Sequence, residues 1–477
     1  MARINTNVGS LVANVNLSKS QAALNTSLQR LSSGMRINSG ADDPAGLIAS
    51  ERLKSEVQGI STAIANATRA TNVISTADGA LSEVSNLLVS IQGLVVGAAN
   101  TGGMSQDEIN ANQLQVDSAI ASITRISNST SFAGLSLLNG SLDYVTSGIT
   151  TSALHDVEIS NAEFGTAATI PVVVNVLQSA QPASLRFQAS AISASVTIQV
   201  SGNLGVQVLS FVSGTKASAI AFAVNRVSDS TGVAAGVTSA TNPSSGLTFT
   251  TLGYGSKQFV SVSVLGNSSA FTTTNSQGAV QNRTTGRDVT ASINGTAAIG
   301  DGLNISVNTP ALNMSLNLDS AFGTGTESFT ITGGGALFQL GPQVQSNQQV
   351  SIAIGSVAAS NLGDALDGYL SDLTTGGSAS LNNDPGRASR IVTAAINQVS
   401  KLRGRLGAFE QNTLQTNINS LQVAMENVSS SESTIEDTDF AQETSNLTRN
   451  QILVQAGTSV LATANQTPQT VLKLLGS

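Results

Sequence analysis

The chain reads as a multidomain α+β protein: a mainly α stem of paired N- and C-terminal long helices, coiled-coil-like in pattern, carrying an inserted β-rich region. Three observations lead there. Apolar residues recur at heptad spacing near both ends. Between about residues 141 and 385 the period shifts to two. Charge divides at the same borders: residues 1–140 carry 9 acids and 8 bases, residues 386–477 carry 7 of each, and residues 141–385 carry 13 acids and 6 bases.

The first helix follows from Ile4, Val8, Leu11 and Val15, then Leu24, Leu28, Leu31 and Met35. The stretch LSSGMRINSGADDPAGLIAS (31–50) breaks it, and poses a question: why does a chain that is only 10% charged place two acids side by side? Asp43 precedes Pro44, and proline suits the first helical position because it lacks the N–H that would be orphaned there. Asp43 is therefore expected to cap a helix starting at Pro44, worth about 1 kcal/mol, with Asp42 adding charge at the same end. Paired carboxylates for acid–base or metal chemistry are the competing reading, and the capping signals outweigh it.

From Leu53 a seven-residue step runs through Ile60, Ala67, Ile74, Leu81, Leu88 and Val95, a seam that predicts one helix roughly 65 Å long. A further helix fits Gln106–Ser127, opened by the break and acids of GGMSQDE. The middle alternates: Val196, Ile198, Val200; Val260, Val262, Val264; Leu303, Ile305, Val307; Met314, Leu316, Leu318. Such runs between Gly, Asn, Ser and Pro predict antiparallel β-structure, interrupted by one helical run from Ala217 to Val227. Helical spacing returns with Val399, Leu402, Leu406 and Phe409. It slips in phase to Leu414, Ile418, Leu421, Met425 and Val428, and ends on Phe440, Leu447, Val454 and Leu461. Asp439 with Gln442 three residues on predicts the last cap, favoured by Glu436 and Asp437. Stripes that begin at residue 4 are unusual, because termini fray. A terminus patterned for burial needs a partner, and one chain has only its other end. The ends are expected to pack on each other, with further burial supplied by other copies.

Composition excludes several classes. The chain is too apolar for disorder and holds no strongly basic footprint, so nucleic acid is not an expected partner. No apolar run approaches the roughly 20 residues that span a bilayer, and MARINTNVGS has no apolar signal core. Cysteine is absent, which removes disulfides and thiolate zinc sites. The single histidine, His155, cannot form a His-pair metal site, and no nucleophile motif accompanies His155–Asp156. The glycines of residues 323–327 and 333–335 match no phosphate-binding pattern and read as turns. No catalytic, cofactor or metal residue is expected.

With those residues in view, LSSGMRINSGADDPAGLIAS, IEDTDFAQETSNLTRNQIL (435–453) and QAGTSVLATANQTPQTVLKLLG (455–476) resemble the end segments of bacterial flagellins, in the same order. The likeness covers about residues 1–140 and 386–477. KASAIAFAVNRVSDSTGVAAGVTS (216–239) resembles a short motif of flagellin inserts. The resemblance implies a self-assembling filament subunit for swimming, without catalysis or cofactor, exported unfolded through the flagellar type III channel and located in the extracellular filament. A hook–filament junction protein and a filament subunit with an adhesive insert are the alternatives.

The implied layout is a D0-like pair of termini (1–43 with 437–477), a D1-like long-helix bundle with a β-hairpin (44–160 with 386–436) and a D2/D3-like variable insert (161–385). The residues expected to carry packing are Ile4, Val8, Leu11, Val15, Leu24, Leu28, Leu31, Leu53, Ile60, Ile74, Leu81, Leu88, Leu402, Leu406, Leu447, Val454 and Leu461. Implied partners are further copies of the chain, an export chaperone, and the filament cap and hook-junction proteins. Two departures stand out. Phe132-Ala133-Gly134 replaces the usual Phe-Asn-Gly ahead of the hairpin. Ser90 and Gln92 stand where many flagellins carry arginines, the first on the surface read by the animal innate immune receptor. Leu94 is retained, so weak receptor binding is expected.

Overall fold

The computed structural model describes residues 6–100, 102–165, 167–238, 246–266 and 270–475, with side chains to residue 467. In chain order its helices are α1 (Val8–Ser33), α2 (Pro44–Ala98), α3 (Gln106–Ser129), α4 (Ala217–Asn225), the one-turn α5 (Ser228–Thr231), α6 (Pro385–Phe409), α7 (Thr416–Glu436) and α8 (Phe440–Leu475). The chain falls into two compact units, Met1–Ala70 with Gln339–Val344 and Gln411–Ser477, and Thr71–Phe338 with Gln345–Glu410. The borders at 43/44 and 436/437 implied by resemblance lie inside the first of these.

In the first unit α1 lies along α8, and the start of α2 adds Ile60, Ala63, Ala67 and Ala70 to its buried positions. In the second, α2 runs on as an unbroken helix, 55 residues in all. By length and composition α2 could cross a membrane, contrary to the expectation that no segment could. One face of this stretch is buried in the protein, with Ile74, Leu81, Leu88, Ile91 and Val95, while Val89 and Val96 are exposed. Asp78–Arg403 at 2.8 Å and Gln92–Ser389 at 3.4 Å tie α2 to α6, and their opposite numbering makes the pair antiparallel. Ser105 caps α3 in a capping box with Glu108. Gln113 of α3 is buried yet satisfied, donating to the Leu373 carbonyl and accepting from the Leu381 N–H. Between α6 and α7, Glu410–Gln415 forms a π-helical turn, which is the physical form of the phase slip in the apolar stripe.

The β-rich region is built from antiparallel pairs around two cores. One module has a five-stranded sheet in the order Thr296–Ala297, Thr290–Ile293, Ile170–Gln178, Gly325–Gly334, Tyr144–Ser147. It also has a four-stranded sheet in the order Ile299–Asp301, Asn304–Asn308, Leu312–Leu318, Leu154–Ala162. Val174, Ile305, Leu316 and Ile331 fill its interior. The second module has Thr273–Thr274, Ser184–Phe187, Leu247–Thr251, Val233–Val237 in one sheet and Arg283–Thr285, Phe259–Val264, Val196–Ser201, Val206–Phe211 in the other. α4 contributes Ile220 and Val224 to this core, where Phe187 stacks on Phe271 at 4.1 Å.

Two glycine runs differ from expectation. Gly325–Glu327 and Gly333–Gly334 belong to a ten-residue strand rather than to turns. The strand keeps them because a register shift between Ile331 and Gly333 brings Gly334 against the partner strand. A Cβ there would lie 2.1 Å from the Asp143 carbonyl oxygen.

The hairpin after α3 pairs Ser131–Phe132 with Leu135–Ser136 through Ala133 (φ 51°) and Gly134 (φ 85°). Both central residues have positive φ, as a type I′ turn requires, so the turn survives without its usual asparagine. A left-handed alanine costs roughly 1–2 kcal/mol. Ala133→Asn is expected to stabilise the monomer by about 1 kcal/mol in a urea titration; an unchanged midpoint would count against a strained turn.

Candidate functional site

The helix pair α1–α8 is held by contacts that run in opposite chain directions. Asn7 Nδ2 donates to the Ala464 carbonyl at 2.7 Å, and Ser10 Oγ to Asn465 Oδ1 at 2.7 Å. Leu17 lies on Gly457, where a Cβ would meet its Cδ1 at 3.2 Å. Asn450 Nδ2 reaches Ser27 Oγ at 3.4 Å, and Arg30 faces Glu443 at 3.8 Å. The shielded positions of α1 are 10, 13, 17, 20, 24, 27, 30 and 31; those of α8 include 443, 447, 450, 454, 457, 461 and 464. Both sets step by three and four, the spacing of a coiled-coil seam. Their chemistry is mixed. Ser10, Ala13, Ser20, Ser27, Gly457 and Ala464 are small and alternate with Leu17, Leu24, Leu31, Leu447, Val454 and Leu461, of which only Leu17 is buried.

Further large apolar residues lie off the seam. Val8, Leu11, Val12, Val15 and Leu28 are exposed on α1, as are Phe440, Ile452, Leu453 and Val460 on α8; Leu11 is 58% and Ile452 63% accessible. Of the residues expected to carry packing, Ile4 lies outside the described residues. Val8, Leu11, Val15 and Leu28 are thus open to solvent in the single chain. Leu24, Leu31, Leu447, Val454 and Leu461 are half-buried on the seam, and Leu53 is half-buried on α2. Ile60, Ile74, Leu81, Leu88, Leu402 and Leu406 are buried. Sequence reasoning missed Ala13, Leu17, Ser20 and Ser27. Ser20 and Ser27 do not register in an apolar count, whereas Ala13 and Leu17 are apolar and were open to the same count.

The two linkers flanking this pair meet. Gly34, at φ 75°, ends α1 in the left-handed region and caps it on the Arg30 carbonyl. Met35 then bridges Asp437, the Arg36 N–H donates to the Glu436 carbonyl, and the Thr438 N–H donates to the Gly34 carbonyl. Arg36 Nε bonds the Ile435 carbonyl at 3.2 Å. Glu436, expected to serve the dipole of α8, instead ends α7 with its carboxylate buried. Its Oε1 accepts from Lys54 Nζ at 2.6 Å, and its Oε2 is buried with no partner among the described residues. That hydrogen bond holds the Lys54 ammonium above its ordinary range. Asp439 accepts from the N–H groups of Ala441 and Gln442 at 2.9 and 3.1 Å.

The adjacent acids divide their work. Asp43 Oδ1 accepts from the Gly46 N–H at 2.9 Å at the start of α2. Asp42 turns away from that helix end, because Ser39 offers it two donors. Its Oδ2 accepts from the Ser39 hydroxyl and N–H and from the Asn38 N–H. These bonds, the Ser39 hydroxyl first, hold the Asp42 carboxyl below its usual range. Asp42 therefore closes the turn between α1 and α2 rather than serving the helix dipole.

No group of three or more potential metal ligands gathers among the described residues. His155 pairs with Asp319 at 3.2 Å, not with Asp156. Asp319 is held below the carboxylate range, first by the Ala321 N–H and then by His155. Ser90 is exposed, and its hydroxyl is spent on the Asn86 carbonyl at 3.0 Å; Gln92 and Leu94 are half-buried.

Removing one partner of a buried pair strands the other, which costs about 1–3 kcal/mol. Glu436 is the enclosed partner, whereas Lys54 is partly open to water. Lys54→Met is therefore expected to destabilise the linker crossing more than Glu436→Gln does, read as faster amide exchange at residues 34–38 and 436–443. The reverse order would remove the ion pair from this account.

Residues 4–143 match the bacterial flagellin N-terminal helical region, and residues 390–475 the bacterial flagellin C-terminal helical region. The chain is 32% identical to a flagellin of Salmonella rubislaw over 99% of both proteins. It is likewise 32% identical to a B-type flagellin of Pseudomonas aeruginosa and 29% to polar flagellin F of Vibrio parahaemolyticus, each over 99% of both chains.

Proposed function

The chain belongs to the bacterial flagellin family, and from that premise we propose that the outward apolar faces of α1 and α8 are the surfaces through which its copies join. As a flagellin it is a structural subunit of the bacterial flagellar filament, not an enzyme. The observation that carries the surface assignment is the second apolar face on the terminal pair: beyond the leucines and small residues of the intrachain seam, large apolar side chains of both helices lie exposed off it. Burying one leucine or isoleucine contributes roughly 1.5–3 kcal/mol. Nine such side chains on the two helices, repeated through heterologous contacts that do not close, suit an open helical polymer. The filament it forms is an extracellular structure. Export in an unfolded state through the type III channel, with a chaperone, and growth between hook-junction and cap proteins complete this reading.

Because Leu11 and Val15 are exposed in the monomer, Leu11→Ser/Val15→Ser is expected to leave monomer stability within about 0.5 kcal/mol while preventing filament growth in a sedimentation assay. Leu17→Ser, on the seam, should lower monomer stability as well. Normal filaments from the Leu11/Val15 variant would sink the surface assignment.

The stretch of α2 around Ser90 bears on immune recognition. With Ser90 occupied by the Asn86 carbonyl and Gln92 directed to Ser389, it presents no cation where an arginine fork would bond an acceptor. Weak receptor activation follows. Ser90→Arg/Gln92→Arg should raise potency in reporter cells by up to about thirtyfold, the equivalent of about 2 kcal/mol. Equal potency of the two proteins would reject this reading.

A further inference from the structure

The second β-module holds an open cleft of about 460 Å³ that no part of the filament reading uses. Its floor is the antiparallel crossing of Gln181 and Arg287, whose backbones exchange hydrogen bonds of 2.8 and 2.9 Å. One wall is the hairpin beyond Thr274. It is closed by the Asn275 N–H on the Ala279 carbonyl and stiffened by Asn275 Oδ1, which accepts from the Gln277 and Ala279 N–H groups. The cleft is therefore preformed rather than a gap between mobile loops.

What lines it is distinctive. Arg283 and Arg287 both face it, and no carboxylate lines it, although residues 141–385 carry 13 acids against 6 bases. Asp288, next in sequence, is turned to Ser256 and Gly302. The Arg283 guanidinium lies over the Phe259 ring at 3.9 Å, and neither arginine has an acid partner among the described residues. Stacking fixes the plane of the guanidinium and leaves its N–H edges for a planar, two-oxygen acceptor. Arg287 Nη2 donates to the Ser179 carbonyl, while its Nε is buried without a partner. Around these cations the rim consists of amides and hydroxyls, including Gln181, Gln277, Gln281 and Ser184.

We infer that this cleft binds a short carboxylated saccharide, its carboxylate on the Arg283 edge and its hydroxyls on the glutamine rim. The volume lies within the roughly 300–1,000 Å³ of small-molecule sites. An apolar ligand would meet a mainly polar lining. A single-stranded nucleic acid would find no aromatic ring lining the cleft to stack on. A bare inorganic anion would engage the arginines and leave the amide rim idle. Binding by one chain does not rest on the filament reading. In a filament the site would repeat with every subunit, and many weak contacts would add through avidity.

The test is calorimetric titration of the full-length monomer with tri-galacturonate, with maltotriose as the neutral probe and inorganic sulfate as competitor. Tri-galacturonate should bind, more weakly as salt rises, and maltotriose should not. Arg283→Ala should lose about tenfold in affinity or more. Arg283→Lys, which keeps the charge but not the fork, should lose comparably and guards against a folding defect. Gln277→Ala/Gln281→Ala should weaken the saccharide without touching either arginine, while Arg226→Ala, away from the cleft, should match the parent. No binding at millimolar saccharide, equal binding of maltotriose, displacement by sulfate at equal concentration, or unchanged affinity in both Arg283 variants would each overturn the inference. All of these readouts are on monomer, so they stand apart from any failure of polymerisation.

Discussion

The pairing of the two chain ends is the constraint on which the rest depends. α1 and α8 have no other described helix to lie along, and the linkers joining them to α2 and α7 cross at Met35 and Asp437. The crossing obliges both ends of the chain to arrive together. It also accounts for the many polar groups gathered at one place. Four backbone segments meet there with no regular sheet or helix to satisfy them, so Gly34, Arg36, Lys54 and Glu436 supply the missing partners.

Much of this was legible in the sequence, and what was hidden is informative. Seven-residue spacing located α2 and α8 because only a helix keeps residues seven apart on one face over so many turns. It did not separate the inner and outer faces of α1, since apolar pattern reports where burial is wanted and cannot say by which molecule. Leu11 and Val15 satisfy the pattern yet are exposed in one chain, whereas Ser20 and Ser27 are shielded and carry no apolar signal. Asp43 was readable as a cap because proline follows it. The role of Asp42 was not, because it depends on the turn folding back to bring Ser39 within reach.

In the middle, alternation identified strands well: Val196, Ile198 and Val200 face one core, as do Met314, Leu316 and Leu318 another. Which strands share a sheet was beyond a local pattern, since neighbours such as Ser184–Phe187 and Thr273–Thr274 lie far apart along the chain. The arginine cleft was equally invisible. Gln181 and Arg287 are brought together only by the bridge between their backbones, and nothing in either segment announces the other.

The terminal seam has a consequence for how the polymer begins. Isolated helices of this length are marginal in water, and a seam whose large side chains, Leu17 apart, stay half-buried among serine, alanine and glycine adds limited apolar burial to hold them. Most of the free energy that orders the ends must come from neighbouring subunits, and a subunit joining an existing tip meets several of those at once. Two free subunits meeting in solution have only each other and bear the same ordering cost. Elongation is thereby favoured over nucleation, and a supersaturated pool of subunits can persist until a templating end is offered.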